Sequence, residues 1–393
     1  MTRHPSTPAD VRGAPSRFSP GDPDSFVLPG RWGGTVRAVE PPRPGTVCEA
    51  EVPCRLHASV LDMTRFDLGK PGGGGIGFGV GLYCSSRVVI TGPGPVVASG
   101  DRPALAHHLG ALFRSLTGWS AGVEIEVRDH GRRHMGLGSS IGTMMAAAVA
   151  LNEAFGRPLG LRDLRKLVAH NYCEEVGRTP AVLSRAFETN VGAMVALHGG
   201  MVVASDGCEL VCRIPLPETM RALLLLPPVG PRTAGTEEAR ALLGTARELD
   251  RRDAPAKAHK VFLDLVPAAL RGDLRTVGRV VAEISSMGSK RAEVELHGNR
   301  GREIRDLMRR LRDEAGAEIV GMSSVGPAVF ALSREPGVWS RWRNLRDPAL
   351  STCTLEVPVD SAGARVRLDG VPVAYRLESW WEDPPYSTGA PAA

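Results

Sequence analysis

The run His134-Met135-Gly136-Leu137-Gly138-Ser139-Ser140-Ile141-Gly142-Thr143 constrains this chain more than any other segment. It passes directly into the apolar stretch Ile141–Leu151, which predicts a helix stopping at Gly156-Arg157-Pro158. Glycines let a backbone approach a ligand closely, and the start of a helix offers unpaired N–H groups at its positive end. Two serines add hydroxyl donors, so the segment suits a diphosphate. The plainer alternative is a glycine turn that caps a core helix.

The surroundings of that loop read as mixed helix and strand. Glu49–Leu61 alternates loosely and predicts a strand, followed by the cluster Gly72–Gly75 and further strands at Phe78–Tyr83 and Arg87–Ile90. Ala104–Thr117 has helical spacing, with Leu105, Leu109, Leu112, Phe113 and Leu116 on one face. Val123, Ile125 and Val127 alternate as a half-buried strand, and Leu161–Val176 predicts a second helix. Met194–Cys212 reads as a hairpin, and Ala222–Leu226 as a buried strand opening a second domain. Helices are expected at Glu237–Asp250, Ala258–Arg271, Asp273–Met287 and Arg302–Ala315, before a second glycine-serine run, Gly321–Pro327, and apolar Ala328–Leu332. No regular βαβ period appears, so the expected class is α+β.

Proline and glycine mark the ends. Residues 1–46 carry prolines at 5, 8, 15, 20, 23, 29, 41, 42 and 44, which predicts a flexible extension touching the body at most near Phe26–Leu28. Residues 47–217 and 218–383 are then the two domains, and 384–393 a flexible tail. Composition excludes several classes. A net charge of +5 across 393 residues is no clustered basic face, so nucleic acid is not the expected partner. No apolar run reaches the roughly 20 residues of a membrane span. Seven scattered cysteines without a CxxC pair fit reduced thiols in a cytoplasm better than a disulfide framework or zinc site.

The first loop resembles the phosphate-binding motif of the GHMP kinase superfamily, and Gly321–Pro327 is similar to that superfamily's second glycine-serine motif, in the expected order over residues 47–335. The resemblance implies a two-domain α+β fold with the active site in the interdomain cleft, and a homodimer. Kinases of the group carry an aspartate seven residues before a Gly-Gly pair, where it can act as base. Counting back from Gly199-Gly200 gives Gly192. The kinase Pro-Gly-Lys segment is Pro53-Cys54-Arg55, and Arg132 replaces the proline four residues before the loop's first glycine.

These departures point to one branch. Arg55-Leu56-His57, Leu61-Asp62, Gly74-Gly75-Ile76-Gly77 and His134 before the loop resemble β-ribofuranosylaminobenzene 5′-phosphate synthases. Gly177-Arg178, Ala186-Phe187-Glu188 and Ser323-Ser324-Val325-Gly326-Pro327 resemble them more loosely. That family condenses phosphoribosyl pyrophosphate (PRPP) with an aromatic carboxylate, losing CO2 and diphosphate. The same fold serves C-nucleoside antibiotic pathways, where the acceptor is an amino-pyrazole carboxylate.

The resemblance implies that Arg55, His134 and the loop Gly136, Leu137, Gly138, Ser139, Ser140, Ile141, Gly142 and Thr143 hold PRPP, with Mg2+ on the diphosphate. Arg178, Lys290, Ser323 and Ser324 are candidates for the 5′-phosphate or substrate carboxylate. Asp62 is a candidate for stabilising an oxocarbenium-like state, and His57 for orienting the acceptor or moving a proton. Each has a plainer alternative: a solvated arginine, a helix-face lysine, a turn-capping aspartate, a core histidine. No magnesium ligands can be named from the sequence; Glu174 and Glu175 fall on the expected second helix, where paired glutamates usually face solvent. The competing functions are an ATP-dependent small-molecule kinase using a different base, and a catalytically inactive binding module of the same fold.

Overall fold

The computed structural model describes residues 16–65, 67–176, 181–227, 236–345 and 353–375. In chain order the first lobe contains β1 (Arg17–Phe18), β2 (Val47–Val60), β3 (Gly75–Pro93), β4 (Val96–Gly100), α1 (Pro103–Thr117) and β5 (Ala121–Arg128). It continues with α2 (Ser139–Ala154), α3 (Leu161–His170), β6 (Cys173–Val176), β7 (Val182–Arg185), α4 (Val191–His198), β8 (Met201–Ala204) and β9 (Leu210–Ile214). The strands predicted at Phe78–Tyr83 and Arg87–Ile90 are one long strand. Its first part pairs with β8 and its second with β5.

Helices α1, α2 and α4 cover this sheet. All sixteen residues of α2 are buried, as an alanine- and methionine-rich helix with no polar face demands. The helix starts after Gly138, whose φ of +74° is the left-handed conformation that favours glycine.

The second lobe contains β10 (Arg221–Leu226), α5 (Thr236–His259), α6 (Val266–Leu270), α7 (Leu274–Ile284), α8 (Gly288–Glu295), α9 (Asn299–Arg309), β11 (Ile319–Met322), β12 (Val329–Ser333), α10 (Gly337–Leu345) and β13 (Cys353–Pro358). Its antiparallel sheet runs β11-β12-β10-β13. The lobes share one core, where Phe78 and Phe330 bring their ring centroids to 6.1 Å. Mixed strands and helices in two lobes are the α+β architecture expected.

Both ends of the chain depart from their expected places. Residues assigned to the extension lie on the body from position 16: β1 pairs with β7, and Phe18, Phe26 and Val27 are buried. After β13 the chain returns to the first lobe, where β14 (Arg365–Leu368) pairs with β2 and β15 (Val371–Val373) with β14. The predicted second domain thus gives its last described residues to the first sheet. Composition made the N-terminal segment look unable to pack, but three apolar side chains suffice to dock it. The terminal segments 1–15 and 376–393 lie outside the described residues.

Candidate active site

Two loops and one strand meet at a single carbonyl. Arg55, on β2, donates from Nη1 to Gly136 O at 2.7 Å, and Ser323 Oγ donates to the same oxygen at 2.7 Å. Ser323 Oγ also accepts the His57 N–H at 3.0 Å, while the Ser324 N–H donates to His57 O at 2.8 Å. The two glycine-serine runs, 187 residues apart, are therefore pinned to each other and to β2. Gly136 has to be glycine: φ is +80°, and a Cβ there would lie 2.2 Å from Ser323 O.

A cavity of about 260 Å3 opens in front of the first loop. Gly136–Ser140, Arg55, His134 and Ser324 line it. So do Arg102, Tyr172, Glu174, Arg185 and Glu188, which sequence reasoning did not assign to the site, with Leu68, Val176, Ala186, Phe187 and Val325 as apolar wall.

The loop's hydroxyl chemistry centres on Ser140. Its Oγ donates to Glu174 Oε2 and receives Arg102 Nη1, both at 2.5 Å. Tyr172 donates to the other Glu174 oxygen at 2.6 Å, and Arg102 also pairs with Asp129. Glu174 arrives here because α3 ends at His170, not at Val176 as the periodicity suggested. Asn171 donates to Val27 O and accepts the Val27 N–H, both at 2.9 Å, and the chain beyond it becomes strand β6. Docking of the N-terminal segment thus turns an expected solvent-facing glutamate into a cavity residue. Ser140 and Glu174 supply the hydroxyl and carboxylate oxygens that a hard divalent cation takes. Glu188 is buried; burial pushes its carboxyl up, while Arg55 and the Asn190 N–H draw it down.

The remaining expected site residues stand elsewhere. Asp62 caps a turn: it accepts the Thr64 N–H and hydroxyl at 2.9 and 2.6 Å, pairs with Arg65, and does not line the cavity. The His57 ring is buried outside the cavity, its Nε2 without a hydrogen-bond partner, and desolvation followed by the nearby Arg55 and Lys290 cations holds it well below the usual imidazole range. Lys290 is buried too, donating to Met322 O at 3.2 Å and Ser324 O at 2.6 Å and pairing with Glu293, so it braces the second loop and presents nothing to a ligand. Ser323 is likewise buried in the scaffold. Ile141, Gly142 and Thr143 form the buried first turn of α2 behind the loop. Arg178 lies outside the described residues.

Gly192 sits in the first turn of α4 against that same turn of α2. A Cβ there would stand 2.7 Å from Ile141 Cγ2. The packing leaves no room for the aspartate a kinase carries.

Residues 104–180 match the family described as GHMP kinases N terminal domain. The chain is 26% identical over 302 residues, 72% of its length and 88% of the relative's, to a β-ribofuranosylphenol 5′-phosphate synthase from Methanothermobacter thermautotrophicus. It is also 26% identical over 253 residues, 64% of its length and 76% of the relative's, to a homoserine kinase from Moorella thermoacetica. Among solved structures, a homoserine kinase from Cytophaga hutchinsonii superposes with a TM-score of 0.57 at 16% identity, over 84% of this chain and all of that one. No helix among the described residues is long and apolar enough to cross a membrane. With its two glycine-serine loops converging between two α+β lobes, the chain has the fold of the GHMP kinases, carries a match to their N-terminal domain, and is similar to the β-ribofuranosylphenol 5′-phosphate synthases.

Proposed function

We propose that the protein is a PRPP-dependent C-ribosyltransferase: it joins PRPP to an aromatic or heteroaromatic amino-carboxylate, releasing CO2 and diphosphate. The observation that carries this reading is the contact between Gly192 and Ile141, which removes the kinase base while the phosphate loop and its cations remain. Similarity to the ribofuranosylphenol phosphate synthase supports it. The homoserine kinase relative favours the competing reading, an ATP-dependent small-molecule kinase, but that reading needs another base.

On this reading the diphosphate lies across Gly136–Ser140 and the start of α2, where the first N–H groups lack helical partners. Arg55 and Arg102 supply positive charge on either side of the loop, and an anionic leaving group gains most where such donors are already fixed. The residues fit Mg2+, with Ser140 and Glu174 as the protein oxygens that would hold it. Once bound, Mg2+ neutralises charge growing on the diphosphate. The acceptor ring lies on the apolar wall of Leu68, Val176 and Phe187. Its carboxylate-bearing carbon attacks the anomeric carbon as the bond to diphosphate breaks. The carbon–carboxylate bond then cleaves as CO2, returning its electron pair to the ring, so no net proton transfer is required. An acceptor of this kind would place the enzyme in the building of C-nucleosides, including antibiotics.

Incubation with PRPP, Mg2+ and an aromatic amino-carboxylate should release diphosphate and CO2 in equal amounts. Phosphorylation by ATP with no use of PRPP would sink the reading, and diphosphate release without CO2 would move it to N- or O-ribosylation.

A further inference from the structure

Behind the phosphate loop lies a second cluster of reactive side chains. Cys54 on β2, Cys84 on β3 and His130, just after β5, bring two sulfurs and an imidazole nitrogen within 4.8 Å of one another. Both cysteines are buried and unbridged, and His130 Nε2 is buried without a hydrogen-bond partner. The two cysteines lie on paired strands whose register slips between Pro53, which faces Tyr83, and Cys54, which faces Val80. None of the three lines the substrate cavity.

We propose that Cys54, Cys84 and His130 form a binding site for a thiophilic divalent metal ion, Zn2+ by its chemistry, seated beneath the phosphate loop. Two thiolates, a neutral imidazole and a dication sum to zero charge, which a buried site tolerates where a bare charge would not. The donor set suits Zn2+ and not an oxygen-seeking ion such as Mg2+. Zn–S bonds of about 2.3 Å put tetrahedral ligands about 3.8 Å apart, so the trio needs to close by about 1 Å at most.

Binding breaks two S–H bonds, releases both protons to solvent and forms two Zn–S bonds. The imidazole coordinates through Nε2 with its proton on Nδ1, so the surface contact from the Arg132 N–H to Nδ1, at 3.2 Å, opens. The surroundings treat the two thiols differently, and burial pushes the Cys54 thiol well up. The Cys54 thiol pulls the Cys84 thiol down against the burial that opposes it, with the His130 N–H and Thr143 hydroxyl adding to the pull. Burial holds His130 below the usual imidazole range. Water or the buried Thr143 hydroxyl completes the coordination. Cys84 Sγ lies 3.8 Å from Ser139 O and Cys54 precedes Arg55, so the ion would tie the back of the loop to the sheet.

The test uses reduced, chelator-stripped full-length protein titrated with Co2+. One equivalent per chain should produce a near-ultraviolet thiolate-to-cobalt charge-transfer band and intense visible bands, both bleached by one equivalent of Zn2+. His130→Asn, at the most exposed of the three positions, should weaken Co2+ binding about tenfold or more with unchanged circular dichroism. Cys54→Ser should remove about half of the charge-transfer intensity. Wild-type protein that gives only the weak spectrum of hexa-aquo Co2+ would overturn the proposal without reference to any variant. So would a charge-transfer band that both substitutions leave intact, since it would come from other cysteines.

Discussion

The two glycine-serine loops are built from the same residue types but are put to different uses. In the first, Gly136–Ser140 lead into a helix, so the loop faces the cavity with the N–H groups that a helix start leaves over. In the second, residues 323–327 lead into β12, a strand whose backbone groups are taken by its neighbours. Most of the second loop's polar groups go to the scaffold, Ser323 to His57 and Gly136, the Met322 and Ser324 carbonyls to Lys290, and Val325 O to His297 at 2.7 Å, while Ser324 also lines the cavity. The element into which a glycine-serine run leads, more than the run's composition, decides whether it meets a ligand or braces a loop that does.

Substitutions at their junction should show that division most strongly. Gly136→Ala forces a Cβ onto Ser323 O at φ +80°, so both loops must move. We expect a loss of about 3 kcal/mol in denaturant-derived stability together with loss of PRPP turnover. Gly207→Ala is the control, with φ +68° but open space around it, and should cost only about 1 kcal/mol. Equal costs would mean that the loops are not locked together. Glu174→Gln tests the first loop alone. PRPP turnover should fall about a hundredfold, or about 2.7 kcal/mol in barrier, and the Mg2+ needed for half-maximal rate should rise while the unfolding midpoint stays nearly constant. An unchanged Mg2+ requirement would remove Glu174 from the metal. Ser323→Ala tests the second loop. The His57 N–H and Gly136 O each lose a hydrogen bond, and stability should drop by about 2 kcal/mol with turnover of the remaining folded enzyme changed by only a few-fold.

Much of this arrangement could be read in the sequence where periodicity or a motif was strong. The glycine turn before α2, the buried α2 itself and the α1 stripe of Leu105, Leu109, Leu112 and Phe113 all appear where expected. Neither glycine run announces its partner, however, and the hydrogen bond from Ser323 to Gly136 spans 187 positions. Glu174 was hidden for a more specific reason. Leu161–Val176 keeps helical spacing through that residue, whereas the helix stops where Asn171 docks Val27, 144 positions away, and the chain beyond pairs with β7. Asp62 erred the other way: a motif position suggested chemistry, while Thr64 two residues later makes it a turn cap. Local patterns carry local structure, and the second half of the cavity is assembled from tertiary contacts no local pattern contains.

His57 offers the finest distinction between the loops, because its backbone holds the second one while its ring is sealed away from the first. The ring's folded value lies below its unfolded value of about 6.5, so stability is fully present above that pH and declines as pH falls, by at most about 1.4 kcal/mol per unit. Buried His108, at about 3, and half-buried His170, at about 4, add slopes of the same sign, so only a difference isolates His57. His57→Asn should flatten the acid limb of the stability curve by up to that amount between about pH 6 and 5. The shape of its pH–rate profile for PRPP consumption should match wild type, because an imidazole outside the cavity exchanges no proton with substrate. A flattened stability limb with an unaltered rate profile assigns His57 to the brace. A lost limb in the rate profile would return it to the chemistry and erase the division between the loops.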